Sequence, residues 1–214
     1  MAFESSLRRN IGVIYQEQLL FIDELSFRSE HFQRSHGRSP VGSPVVVPAV
    51  PVREAQISLI VAIDVNGYVA HVIQEGHFNR HGFVQFLQDM ITSRLISTFG
   101  GRRSILVLDG CKFHISPDLI EGIRKTGALY WILPPYSPES NPIEQFFRQF
   151  RCRVRDFSHL HPNVPTFQKL QTILTQMTYN CSAMFEHSGW FQGKYYSSPY
   201  LSGKRVQRLL KFVE

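Results

Sequence analysis

The chain has 214 residues and a mass of 24.7 kDa, enough for one domain or at most two small ones. Hydrophobic residues make up 43% of it and charged residues 19%, a composition that excludes a disordered or tail-like protein. Its three cysteines show no Cys-x-x-Cys spacing, so neither a disulfide framework nor a cysteine zinc site is expected. The sequence shows no signal peptide and no uncharged apolar run of about 18 residues, which predicts a soluble intracellular protein that does not bind membranes.

Positive charge is concentrated in the last third of the chain. Residues 1–144 carry 13 Lys+Arg and 14 Asp+Glu, a net charge of −1, whereas residues 145–214 carry 10 and 3, a net charge of +7. Such a segment could neutralise phosphates or could form a solvated basic face. Charge alone leaves both interpretations open.

The first half of the chain predicts a strand followed by a hairpin. Leu19–Ile22 are typical of a buried strand, which we expect to end in Asp23 and Glu24. Residues 25–55 form a long connection, and its prolines allow at most one edge strand. The runs ISLIVAIDV and YVAHVIQ flank Asn66-Gly67, a dipeptide that favours a tight hairpin turn.

The next elements alternate between helix and strand. Residues 80–97 carry apolar side chains at helical spacing, and SILVLDG is a strand that ends in Asp109. Ser116-Pro117 is expected to open a helix that Gly127 closes, and ALYWIL is a further strand. This order predicts a mixed α/β sheet with helices on both faces.

Two helical stretches end the predicted fold. Asn141-Pro142 opens a helix that runs to about Phe157, and a last stretch covers about Thr166–Met184. At about 100° per residue, the first of these helices turns an apolar stripe toward the core. Its members are Ile143, Phe146, Phe147, Phe150, Val154 and Phe157.

A separate face of the same helix carries one carboxylate and three arginines. On a helical projection, Arg148, Arg151 and Arg155 each lie within about 40° of Glu144. The four residues could form a capped, ion-paired helix start, in which Glu144 pairs with Arg148. Alternatively, the arginines could contact phosphates.

Three carboxylates occupy equivalent places in the predicted fold. Asp23 and Asp109 end strands, and Glu144 opens the helix after the last strand. Three acids that converge would repel one another unless hard divalent cations neutralised them, and Mg²⁺ prefers oxygen ligands of this kind. Two such ions, about 3.5 to 4 Å apart, can support in-line displacement at a phosphodiester.

Longer motifs around these acids resemble a known family. LVLDGCKFH and LPPYSPESNPIEQFF resemble the signature of the mariner superfamily of DDE transposases, and FIDELSF resembles its first catalytic strand. Asp109 and Glu144 are separated by 34 residues, as in one large branch of that superfamily. The resemblance implies a ribonuclease H-like fold with a mixed five-stranded sheet. It also implies Asp23, Asp109 and Glu144 as catalytic metal ligands for Mg²⁺ or Mn²⁺, with two ions, and DNA cleavage and strand transfer in DNA transposition as the activity.

The sequence departs from the family pattern in three ways. Gly110 stands where Asn commonly follows the second aspartate, and Ser140 stands where an apolar residue is usual. The helix-turn-helix modules that family members carry before the catalytic strand are not found in this sequence. We therefore expect a catalytic domain over residues 1–192 and a basic tail over residues 193–214.

Further site residues follow with less direct support. His114 could touch substrate or orient a carboxylate, and Asn141 could do the same, whereas Asp64 is interpreted as a turn residue. Glu24 should point to the opposite face of the strand from Asp23. The phosphate contacts are assigned to the three arginines of the helix.

Two other functions stay open from the sequence. The chain could be a domesticated or truncated transposase-derived protein that binds DNA without catalysis, or a nuclease of the same fold that acts on RNA or branched DNA. The expected partners are DNA and, as an option, a second copy of the chain in a homodimer, with no small-molecule cofactor. The expected location is nuclear in a eukaryote and cytoplasmic otherwise.

Overall fold

A five-stranded mixed sheet organises the computed structural model, which describes residues 15–28, 38–45, 55–110, 117–133, 136–176 and 178–190. Its spatial order is β3-β2-β1-β4-β5. β1 is antiparallel to β2, and β2 to β3, whereas β1, β4 and β5 run parallel. The strands are β1 (Leu19–Phe27), β2 (Ile57–Asp64), β3 (Gly67–Glu75), β4 (Ile105–Leu108) and β5 (Leu129–Ile132).

Helices cover both faces of this sheet, as the order of predicted elements indicated. In the described residues they are α1 (Arg80–Thr92), α2 (Pro117–Thr126), α3 (Pro142–Leu160), α4 (Thr166–Gln176) and α5 (Cys181–His187). The apolar side chains of α1 and α2 pack on one face, and those of α3, α4 and α5 pack on the other. None of these described helices has the length and apolar character needed to cross a membrane.

Alternation along β1 produces the two cores. Leu19, Phe21 and Leu25 belong to the core under α3, whereas Leu20 and Ile22 belong to the core under α1 and α2. The apolar stripe of α3 is confirmed, because Ile143, Phe146, Phe147, Phe150 and Val154 are buried there. Each such side chain contributes about 1.5 to 3 kcal/mol to the free energy of burial. This packing fixes α3 against β1.

The predicted end of β1 was wrong. The strand continues through Asp23 to Phe27, because β2 pairs with it as far as Phe27↔Ile57. The length of β1 depends on how far β2 pairs with it, and the sequence of β1 alone does not show this. Asp23 therefore lies within a strand, held by backbone pairing on its β2 side.

The hairpin between β2 and β3 is confirmed. Asp64 pairs with Gly67, and the Asp64 Oδ1 atom accepts the backbone N–H groups of Asn66 at 2.8 Å and Gly67 at 3.1 Å. Gly67 has φ 141°, a value that side-chain-bearing residues rarely adopt. These contacts support the interpretation of Asp64 as a turn residue.

Helix boundaries differ from the prediction in three places. α1 ends at Thr92 and α3 continues to Leu160. The predicted last stretch is two helices, because Asn180 caps a new helix by accepting the N–H of Ala183 at 3.1 Å. Residues 29–37 and 46–54 of the connection that could contain one edge strand, the cap at Ser116 and the tail over 193–214 lie outside the described residues.

Candidate active site

The pairing of β1 with β4 places two of the three predicted carboxylates side by side. Leu19 pairs with Ile105 and Phe21 with Val107, the last pair of the two strands. Asp23 follows two residues after Phe21, Asp109 two residues after Val107, and both line one cleft. Neighbouring strands lie about 4.8 Å apart. Asp23 is in phase with Phe21 and therefore faces the α3 side of the sheet.

A cleft of about 360 Å³ lies at this end of the sheet. All three predicted carboxylates line it, together with the Asn141 amide. The other lining residues come from the end of β4, the end of β5 and the turn that leads to α3. The lining residues are Asp23, Asp109, Gly110, Leu133, Tyr136, Ser137, Pro138, Asn141 and Glu144. The structure thus brings together the residues whose convergence the sequence predicted.

Asn141 connects the start of α3 to the first carboxylate. Its Nδ2 atom donates to Asp23 Oδ2 at 3.1 Å, and its Oδ1 atom accepts the N–H of Ile143 at 3.4 Å. The side chain is buried, and Asp23 is 8% exposed. A second donor to Asp23 is the backbone N–H of Glu24, at 2.7 Å from Oδ1. Two directed hydrogen bonds therefore fix the orientation of the Asp23 carboxylate.

Glu144 enters the cleft from the first turn of α3 and is exposed. Its backbone N–H donates to the Asn141 carbonyl at 3.1 Å, so the turn that caps the helix also positions this residue. Within the described residues, no ion pair joins Glu144 to Arg148, contrary to one of the two interpretations of this helix face. The carboxylate faces the cleft without that partner.

The donor set of the cleft suits a hard divalent cation. Asp23, Asp109 and Glu144 supply only oxygen ligands, which Mg²⁺ and Mn²⁺ accept. Among the residues that the structure describes, however, no group of three or more His, Cys, Asp or Glu side chains is arranged to hold a metal ion. Ligation by all three carboxylates therefore requires a side-chain movement, and Glu144 is the exposed member of the set.

The three predicted phosphate-binding arginines are exposed on α3. Arg148, Arg151 and Arg155 lie about 6, 10 and 16 Å from Glu144 along the helix axis, at 1.5 Å per residue. Arg153 differs from them, because it donates to the Thr178 carbonyl at 3.2 Å and lies 4.8 Å from the centre of the Tyr179 ring. The exposed row therefore leads away from the cleft, whereas Arg153 connects α3 to the segment before α5.

Other predicted residues lie elsewhere. Glu24 pairs with Ile60, a member of the core under α1 and α2, so its side chain faces away from Asp23 as predicted. Asp64 is the last residue of β2, at the hairpin turn and outside the cleft. Its Oδ2 atom is 3.5 Å from Arg102 Nη2 and 4.0 Å from Arg103 Nε. His114 lies outside the described residues, so its predicted role stays a prediction.

A family model described as DDE superfamily endonuclease matches residues 18–168. The match includes every strand of the sheet and the whole of α3. The chain therefore belongs to the DDE superfamily endonuclease family. No curated protein matches the chain.

Solved structures show the same fold. A chain of the Mos1 transposase paired-end complex with left transposon end is 15% identical, with a TM-score of 0.51, over 92% of this chain and 60% of that one. A chain of the Mos1 strand transfer complex is 16% identical, with a TM-score of 0.51, over 88% of this chain and 60% of that one. A chain of the simian T-cell lymphotropic virus intasome in complex with PP2A regulatory subunit B56 gamma is 14% identical, with a TM-score of 0.53. That match covers 76% of this chain and 48% of the other. The chain spans about half to three fifths of the length of these proteins. The predicted mixed five-stranded ribonuclease H-like fold is confirmed.

Proposed function

We propose that this chain is the catalytic domain of a DDE transposase, which cleaves DNA phosphodiesters and joins DNA strands with the help of divalent metal. The observation that carries the proposal is the meeting of Asp23, Asp109 and Glu144 around one cleft, with Asp23 on β1 and Asp109 directly after the neighbouring parallel strand β4. Mos1, a structural neighbour, is named as a transposase with transposon ends. Family membership supports the same chemistry.

The chain's own residues perform separable tasks in this proposal. Asp23, Asp109 and Glu144 hold the metal, since neighbouring carboxylates tolerate proximity only when a cation or a proton relieves their repulsion. Asn141 orients Asp23 through its amide. Two bound Mg²⁺ or Mn²⁺ ions would activate the attacking oxygen and stabilise the leaving oxygen. The DNA backbone continues from the cleft along Arg148, Arg151 and Arg155.

The test is plasmid cleavage. Wild-type protein is incubated with supercoiled plasmid in Mg²⁺ or Mn²⁺, and nicked and linear products are measured. We expect Asp109→Asn to abolish cleavage. Asp156→Asn, which removes an exposed carboxylate of α3 outside the cleft, is the matched control and should cleave like the wild type. Equal nicking rates for Asp109→Asn and the wild type contradict the proposal.

A DNA-binding protein without catalysis is the second candidate. It is favoured by Gly110, which lines the cleft and stands where Asn commonly follows the second aspartate. Salt-sensitive DNA binding without cleavage in either metal would select this candidate.

The proposed transposase domain is also expected to form a homodimer, which light scattering measures. Its proposed location is nuclear in a eukaryote and cytoplasmic otherwise, which imaging of a tagged chain measures.

A further inference from the structure

One aromatic residue on the rim of the cleft has no role in holding the carboxylates. Tyr136 lines the cleft, and its side chain is 100% exposed. Its backbone has φ 58°, a left-handed conformation that is uncommon for residues other than Gly, Asn and Asp. A ring that is fully exposed gains nothing from packing within the described fold. Folding therefore does not explain why a large apolar ring stands at this position.

The segment that carries Tyr136 is braced against the catalytic face. Ser140 N–H donates to the Ser137 carbonyl at 3.1 Å, and Asn141 N–H donates to the Pro138 carbonyl at 3.0 Å. Trp190 Nε1 donates to the Ser140 carbonyl at 2.8 Å. The same short turn ends in the Asn141 amide that binds Asp23. These hydrogen bonds therefore hold the turn that follows Tyr136 in a fixed position relative to Asp23.

We propose that the Tyr136 ring stacks on a nucleobase next to the phosphodiester that enters the cleft. This inference rests on the proposed function and adds a substrate contact to it. A phosphodiester within a duplex is flanked by stacked bases, and unstacking one of them costs a few kcal/mol, which stacking on an aromatic ring offsets in part. An exposed aromatic face is the surface on which an unstacked base is held, with little dependence on its identity. Of the described residues that line the cleft, Tyr136 alone is aromatic.

The position of the ring separates this contact from the arginine contacts. Arg148, Arg151 and Arg155 offer charge to phosphates, whereas Tyr136 offers a π-face to a base. Removal of the arginines should weaken binding to all DNA, paired or not. Removal of the ring should weaken binding only where a base is free to leave the helix.

The experiment compares two duplexes of one sequence at equilibrium in EDTA, where no cleavage occurs. One is fully paired, and the other contains a single unpaired 2-aminopurine. Affinity and 2-aminopurine quenching are measured for the wild type, Tyr136→Ala and Tyr136→Phe. Tyr15→Ala, which removes an exposed tyrosine outside the cleft, is the matched control. Melting temperatures verify that each variant folds, and Tyr136→Gly, which suits the positive φ, provides a second variant that lacks the ring.

We expect Tyr136→Ala and Tyr136→Gly to lose about 5-fold or more in affinity for the unpaired duplex, roughly the size of one lost base stack, and to lose the quenching as well. Affinity for the paired duplex should stay within about 2-fold. Tyr136→Phe, which keeps an aromatic ring, should retain both the affinity for the unpaired duplex and the quenching. Unchanged quenching and affinity in folded Tyr136→Ala overturn the inference and leave the proposed function standing. If the wild type binds neither duplex, both proposals fail.

Discussion

The Asn141 amide donates from Nδ2 to Asp23 Oδ2 at 3.1 Å, across 118 positions of the sequence. The same side chain caps α3 by accepting the Ile143 N–H. One residue therefore sets where the helix begins and how the first carboxylate is oriented. A change at Asn141 should affect both stability and chemistry.

Asn141→Ala should lower the free energy of unfolding by about 1 to 3 kcal/mol, because a cap and a buried hydrogen bond to a carboxylate are both lost. Cleavage should fall as well. Asn180→Ala removes a cap of the same kind from α5 without touching a carboxylate, so it should reduce stability and spare cleavage. Urea unfolding and plasmid nicking provide the two measurements. Equal losses of cleavage in the two variants would show that Asn141 acts through stability alone.

Mg²⁺ or Mn²⁺ should raise the melting temperature of the wild type, because a cation that binds only the folded chain stabilises it and relieves repulsion between Asp23 and Asp109. At 100 times the dissociation constant, the gain is about 2.7 kcal/mol. Asp109→Asn should show a smaller shift, and Asp156→Asn should match the wild type. A full metal-dependent shift in Asp109→Asn would place the cation elsewhere. Thermal melts with increasing metal measure the effect.

Replacement of Arg148, Arg151 and Arg155 by Gln should weaken DNA binding and flatten its salt dependence. Loss of three phosphate contacts reduces the slope of log K against log salt by about 2.7 for duplex DNA. The matched control replaces Arg80, Arg94 and Lys125 by Gln. These exposed cations lie at the start of α1, just after α1 and in α2, and none is on α3.

Both triple variants carry the same change in net charge. If the arginines of α3 contact phosphates, only their loss should change the slope strongly. Equal slopes in the two variants would indicate that the arginine row is a solvated helix face. Fluorescence anisotropy at several salt concentrations distinguishes these outcomes.

Asp64→Ala should destabilise the chain by about 2 to 3 kcal/mol, because two turn N–H groups lose their acceptor and Arg103 loses its nearby carboxylate. Asp64→Asn should cost less, since the amide oxygen still accepts both N–H groups. Urea unfolding of the two variants measures the difference. Equal destabilisation would show that the charge, rather than the turn, accounts for the effect.

Burial, with a smaller effect of the Asp64 charge, raises the pKa of the Cys181 thiol from 9.0 to about 12. The folded state therefore disfavours the thiolate, and the stability that this provides is present below pH 9 and lost as the pH rises toward 12. Cys181→Ala should show a smaller alkaline loss of stability than the wild type between pH 8 and pH 10.5, measured by urea unfolding. An identical loss in both chains would assign the effect to other groups, such as Tyr179, whose pKa burial also raises to about 12.

Local chemistry in the sequence was sufficient for several parts of the fold. Asn66-Gly67 predicted the hairpin, because the turn needs a residue that accepts positive φ. Asn141-Pro142 predicted the start of α3, since a cap and a proline at the first position act within one turn. The apolar stripe of α3 followed from helical periodicity. Each of these signals depends on neighbours in the sequence.

The sequence also identified the three carboxylates, but through motif resemblance and topology rather than geometry. Their meeting around one cleft depends on the pairing of β1 with β4 and on the packing of α3 against β1. Strand pairing is formed between distant segments, so local patterns do not fix its register.

Tertiary structure alone decided the remaining features. β1 continues past Asp23 because β2 supplies hydrogen-bond partners there, and the stretch after Thr166 divides because Asn180 caps a new helix. The amide link from Asn141 to Asp23 joins residues that no periodicity relates. Such contacts arise when separate elements pack together, and for this reason the sequence predicted which residues form the site while the fold determined how they are held.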